Sequence, residues 1–177
     1  MKSMKRNLTL SILAVAAFIF TFSDSKAQYN PYDDGRNIAT IGVGFSNWGV
    51  PIYGRFEVPV VDNITVGGGL SYRSRTNTFY RFTIIGISAL GNYHFNELLE
   101  LPDEFDLYAG ASLGYYVWNI SDRDNLGVDY TGSESSGLGF DVQIGGRYFF
   151  SDNLAANLEF GGGNQTSGGS IGISFLF

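Results

Sequence analysis

The stretch DLYAGASLGYYVW, Asp106–Trp118, reads as one strand with two faces of different kind. Leu107, Ala109, Ala111, Leu113, Tyr115 and Val117 fall on one side; Asp106, Tyr108, Gly110, Ser112 and Gly114 fall on the other. The apolar side is continuous. The polar side is made small rather than charged. A strand face washed by solvent normally carries many Lys, Glu and Thr side chains, so this pattern asks which face points outward.

The same period-two alternation flanks this stretch in both directions and gives eight segments. Four precede it or lead into it: Ile38–Ser46, Pro51–Val60, Ile64–Arg73 and Arg81–Phe95. Three follow: Gly137–Phe150, Leu154–Gly163 and Ser170–Phe177. In Arg81–Phe95, Ile84, Ile85 and Ile87 put apolar residues on both faces, so the pattern assigns it no register.

Composition narrows the class. Only 16% of residues are charged, against ~25% in an average soluble domain, while 24 are glycine and 16% aromatic. With no cysteine, there is no disulfide framework, no Cys-based metal or redox site and no lipoprotein anchor. Lys2, Lys5 and Arg6, the apolar run Leu8–Phe22 and the small residues of Ser25-Lys26-Ala27 have the layout of a secretory signal cut after residue 27. Residues 1–27 hold four of the 11 basic and one of the 17 acidic residues, leaving seven, all arginine, against 16, a net of −9. That balance disfavours nucleic acid as a partner, since phosphate binding needs basic patches. No later apolar run is long enough for a spanning helix, so any insertion in a membrane must be as a closed barrel.

The polar faces carry Arg55, Arg73 and Arg147 with Glu57, Asp141 and Glu159, three charges of each sign among Gly, Ser and Thr. Small residues and balanced charge suit a narrow enclosed interior, and the apolar faces suit lipid. Eight strands leave an interior just wide enough for side chains to fill, so the six charges read as a structural plug and not as the lining of a pore. Aromatics bunch near segment ends: Phe45, Trp48, Phe79, Tyr80, Tyr115, Tyr116 and Trp118 at one set, and Tyr93, Phe95, Tyr148, Phe149, Phe150 and Phe177 at the other. Two such clusters would make two interfacial girdles. The connections Val61-Asp62-Asn63 and Ser151-Asp152-Asn153 are short and Asn119–Ser136 is long, but Asn96–Phe105 is long for its side of the barrel.

The C-terminal stretch Ile171-Gly172-Ile173-Ser174-Phe175-Leu176-Phe177 resembles the last strand of bacterial outer-membrane proteins. With the signal segment and eight alternating segments, the chain resembles the small eight-stranded barrels of the OmpX and OmpA-transmembrane type over residues 38–177. The resemblance implies an all-β, closed, antiparallel up-and-down transmembrane barrel after a short periplasmic lead, residues 28–37. It implies a monomer in contact with outer-membrane lipid and lipopolysaccharide. It also implies that Phe175 and Phe177 serve as the signal read by the barrel-assembly machinery.

Some barrels of that kind are enzymes acting on lipid A or phospholipid, which need a base beside a nucleophile. The one histidine, His94, falls at the terminus-side end of its segment between Tyr93 and Phe95, so it reads as interfacial packing and no catalytic residue is assigned. The acidic set Asp122, Asp124, Asn125, Asp129 and Glu134 fails the EF-hand pattern at Leu126 and Ser133, so it reads as a solvated loop, with no metal and no cofactor assigned. The expected role is non-enzymatic, structural or interactive, through loops around Trp48, Asn77 and Asn119–Ser136. The alternatives are a lipid-modifying barrel enzyme and a secreted soluble barrel that binds an apolar ligand.

Overall fold

The computed structural model describes residues 35–122, 135–165 and 167–177. The signal segment, most of the N-terminal lead and the Asp124, Asn125, Asp129 and Glu134 positions lie outside the described residues, as does the side chain of Asp122. Eight strands follow one another: β1 Ile38–Ser46, β2 Val50–Val61, β3 Ile64–Thr76, β4 Tyr80–His94, β5 Phe105–Asp122, β6 Gly137–Ser151, β7 Leu154–Gly163 and β8 Ser167–Leu176. Each is antiparallel to the next, and β8 pairs with β1 from Ile38↔Leu176 to Ser46↔Gly168, which closes the barrel. Closure leaves no open sheet edge, as a strand structure in hydrocarbon requires. The start of β1 and the end of β8 lie at one end, together with the β2–β3, β4–β5 and β6–β7 connections; this is the terminal end, and the other is the distal end.

Polarity runs inside out. Leu113, Phe140, Ile144, Phe160, Ile171 and many other large apolar side chains are exposed on the outer wall. The buried set is dominated by polar and charged residues, including Glu57, Thr65, Asn92, Asp106, Gln143, Arg147, Asn157 and Glu159. A soluble barrel would reverse this, since burying a charge without a partner costs several kcal/mol.

Glycine lets the interior hold large rings. At Gly145 a Cβ would sit 2.5 Å from Cζ of Tyr108, and at Gly139 it would sit 2.3 Å from Cε2 of Tyr116. Each tyrosine therefore lies flat across the inner wall where a neighbouring strand has no side chain.

β4, unassigned from its sequence, has a definite register. Phe82, Ile84, Gly86, Leu90, Asn92 and His94 turn inward, while Ile85, Ile87 and Tyr93 turn outward. The long β4–β5 connection is a closed turn. The Leu99 N–H donates to Phe95 O (2.9 Å) and the Leu101 N–H to Asn96 O (2.9 Å), with Glu100 at φ 49°. Asn96 then ties the turn to β5, its amide donating to Phe105 O (3.1 Å) and its Oδ1 accepting from Leu107 N–H (3.1 Å).

Several aromatics expected in the girdles are inside. Tyr116 and Phe149 are buried. Phe149 closes the terminal end of the lumen with Ile38, Ala155 and Leu176. Trp118 shares the inward parity of Tyr116; it stacks edge-on against Trp48 at 4.9 Å, and Trp48 meets the inward Phe82 at 5.6 Å, making a roof at the distal end. Phe45, Phe79 and Tyr115 at the distal end, and Tyr93, Tyr148, Phe150 and Phe177 at the terminal end, do face outward.

Candidate functional site: the charged lumen

Above the apolar plug of Ile38, Phe149, Ala155 and Leu176 lies a knot of charges. Arg147 on β6 bridges two carboxylates, donating from Nη2 to Glu57 Oε1 (2.7 Å) and from Nη1 to Asp106 Oδ2 (2.8 Å). His94 Nδ1 lies 2.8 Å from Asp106 Oδ1, and His94 Nε2 lies 3.0 Å from Thr65 Oγ1. The Thr65 hydroxyl lies 2.9 Å from Glu57 Oε2, which also accepts from Asn92 Nδ2 (2.8 Å). Gln143 Nε2 donates to Asn92 Oδ1 (2.9 Å), extending the knot across the lumen.

The second layer is built on Tyr108 and Glu159. The Tyr108 hydroxyl donates to Glu159 Oε2 (2.9 Å) and accepts from Asn157 Nδ2 (2.8 Å), with Arg147 over its ring at 4.4 Å. Arg55 grips Glu159 with both Nη atoms, the Nη2–Oε1 contact being 2.7 Å, and lies 5.0 Å above the Tyr53 ring. A planar guanidinium matched to a carboxylate in this way fixes direction as well as charge.

The third layer is looser. The Tyr116 hydroxyl donates to Asp141 Oδ2 (2.7 Å). Arg73 is buried beside them, yet its Nε and Asp141 Oδ1 have no hydrogen-bond partner among the described residues. Here the lumen keeps a cavity of about 130 Å³, reached by Ser71, Ser88, Ser112, Arg73 and Asp141 and extending to Ser46 and Ser167 near the distal mouth.

Four of the six charges singled out in the sequence therefore meet as pairs, Arg55 with Glu159 and Arg147 with Glu57. Arg73 and Asp141 do not join them as an ion pair. The set also lacked two members. Asp106 sits on the polar face of its strand in the sequence, and His94 is not packed at the interface: it is 0% exposed, inside the barrel. The misplacement follows from the unassigned register of β4, in which Gly86, Ser88, Asn92 and His94 alternate inward.

Thr65, His94 and Asp106 have the connectivity of a hydroxyl, a base and an orienting acid. All three are buried, and the Thr65 hydroxyl is also tied to Glu57.

No family model matches the sequence, and no curated protein matches it in sequence. Solved structures do match in shape. The attachment invasion locus protein Ail of Yersinia pestis aligns with TM-score 0.54 at 14% identity, over 81% of this chain and 99% of that one. The fold is that of a small transmembrane β-barrel. Neisserial surface protein A aligns with TM-score 0.51 at 18% identity, over 80% and 95% of the two chains. The N-terminal barrel domain of Pseudomonas aeruginosa OprF aligns with TM-score 0.50 at 16% identity, over 80% and 97%. At these identities the shared feature is the barrel itself, and the outward apolar wall of this one is the surface that lipid would cover.

Proposed function

We propose that this chain is an integral protein of the bacterial outer membrane, of the OmpX and OmpA-transmembrane type, with a non-enzymatic structural or surface-interaction role. The observation that carries the reading is the coexistence of an exposed apolar outer wall with a lumen closed by paired charges. Such a molecule is stable only with hydrocarbon around it, and the full burial of Glu57, Asp106 and Arg147 supports a lumen closed at its terminal end. The terminal end then faces the periplasm, and the longer distal connection faces outward.

On this reading residues 1–27 direct export and are removed, the barrel is monomeric, and its surface partners are membrane lipid and lipopolysaccharide. Phe175 and Phe177, both on the outer wall, are the side chains presented to the barrel-assembly machinery. Arg55, Glu57, Arg73, Asp141, Arg147 and Glu159 serve stability. A lipid-modifying activity is disfavoured because the one histidine is sealed in the lumen, away from the lipid face.

The test is envelope fractionation with gel mobility of heated and unheated samples. Recovery in the outer-membrane fraction with heat-modifiable mobility supports the reading. Recovery as a soluble periplasmic protein without that shift contradicts it.

A further inference from the structure

Arg73 is a buried charge that no direct contact accounts for. The side chain is 7% exposed, and it makes no hydrogen bond or ion pair among the described residues. Its Nε is sealed, so the guanidinium meets the cavity of the third layer through its two Nη atoms. Taking a guanidinium out of water without a partner is costly, and buried charges are ordinarily paired. Asp141 does not pair with it: Oδ2 accepts from Tyr116, and Oδ1 is sealed.

The same cavity is lined by three hydroxyls. Ser71 on β3, Ser88 on β4 and Ser112 on β5 all border it, and none of them has a hydrogen-bond partner among the described residues. Arg73 follows Ser71 by two positions, on the same inward face of β3. The ladder sets Ser71 opposite Gly86 and Ser88 opposite Gly69 and Gly114, so neither meets a neighbouring side chain that would occupy its hydroxyl. Glycine also keeps the space open: a Cβ at Gly69 would stand 3.3 Å from Ser88 Oγ. Arg55 and Glu159 reach the wall of the cavity too, but each is already gripped by the other.

We propose that this cavity is a binding site for one small, singly charged oxyanion of the carboxylate class, held by Arg73 and by the hydroxyls of Ser71, Ser88 and Ser112. A guanidinium presents parallel donors that match the two oxygens of a carboxylate. The serine hydroxyls turn freely, so each donates to whichever oxygen the guanidinium leaves open. The volume, about 130 Å³, is roughly that of four waters and suits a small anion. The carboxylates of Asp141 and Glu159 border the same space, and at close range in a low dielectric they repel a second negative charge on the ligand. The cavity extends to Ser46 and Ser167 near the distal mouth, so the ligand enters from that end and the terminal-end knot is left undisturbed. The site does not depend on which compartment the distal end faces.

Formate, the smallest carboxylate, is the probe. Saturation-transfer NMR on the refolded full barrel in an uncharged detergent reads its binding, with Kd expected on the order of 1–10 mM for so few atoms. The expected result is saturable transfer in the unaltered barrel, with affinity at least ~10-fold weaker in Arg73→Gln. Nitrate should displace formate, and sulfate at equal ionic strength should not. Absence of saturable transfer would mean that the cavity takes water alone, and the site would be lost. An affinity unchanged in R73Q would place formate elsewhere and overturn the assignment. Displacement by sulfate as readily as by nitrate would overturn the preference for a single charge. Ser88→Ala keeps the guanidinium and removes one donor, so it should weaken formate about 3-fold or more. Should R73Q not fold, S88A decides: an unchanged affinity there contradicts the proposal.

Discussion

Arg55 on β2 and Glu159 on β7 meet fork to fork across the lumen, although β1 and β8 separate their strands in the wall. The pair therefore staples the interior over the seam where the first and last strands join. Glu159 also accepts from Tyr108, so one carboxylate holds two side chains of the second layer.

Removing that carboxylate strands a buried guanidinium. Glu159→Ala should lower stability by about 3 kcal/mol, because breaking one side of a buried pair leaves the other uncompensated. Urea unfolding in detergent micelles, followed by the gel shift on heating, measures it. Replacing Arg55 and Glu159 together by Met and Leu should cost less than Glu159→Ala alone, since no charge is then left behind.

Gly145→Ala tests the same layer from the wall. Its new Cβ would meet Cζ and Oη of Tyr108 at 2.5 Å. The ring has little room to retreat, with Asn157 and Glu159 at its hydroxyl and Arg147 over its face. A loss of about 1–3 kcal/mol is expected from overpacking. Tyr108→Phe removes the hydroxyl and not the ring, so it should leave the G145A clash largely in place.

The distal cavity and the terminal-end knot should differ in access. Ser88 borders the cavity, whereas Ser174 is fully buried, its hydroxyl 2.8 Å from that of Thr40. In a chain with no other cysteine, Ser88→Cys should react with a small membrane-impermeant thiol reagent at least ~10-fold faster than Ser174→Cys. Equal rates would mean the lumen is not closed where the knot places its floor.

Phe177 separates assembly from stability. Its backbone pairs with Asn37 in both directions, at 2.9 and 3.1 Å, while its ring stands on the outer wall. Phe177→Ala should change the urea midpoint of refolded protein by less than about 1 kcal/mol. The amount assembled in cells should nevertheless fall severalfold. A normal cellular level would remove Phe177 from the assembly role.

Seven of the eight segments could be given faces from their residues, because a strand with one outward and one inward face prints a period of two. β4 breaks that print for a physical reason. Phe82 and Ile84 are apolar yet inward, and Phe82 packs under the Trp48 roof, so its inward face near the distal end is as greasy as its outward face. The loss of register there hid His94, which lies inside the lumen beside Asp106. Tyr115 and Tyr116 show what parity could have resolved: adjacent residues cannot both face outward, and Gly114 places Tyr116 inside. Phe149, of like parity to Arg147, follows the same rule. The closed turn at 95–104 rests on side-chain bonds of Asn96 that no local pattern announces. That Arg73 and Asp141 make no direct ion pair, Asp141 accepting from Tyr116 instead, is likewise a matter of reach across the lumen, which residue identity does not encode.

The central claim is the direction of the apolar faces, and spin-label accessibility tests it most directly. The chain has no cysteine, so labels can be placed singly at Leu113→Cys, Ile144→Cys and Phe160→Cys, all exposed positions on the outer wall. In lipid vesicles the account predicts labels that oxygen dissolved in the bilayer reaches readily and a water-soluble nickel complex does not. Labels open to the nickel complex, or packed beyond reach of both, would contradict it.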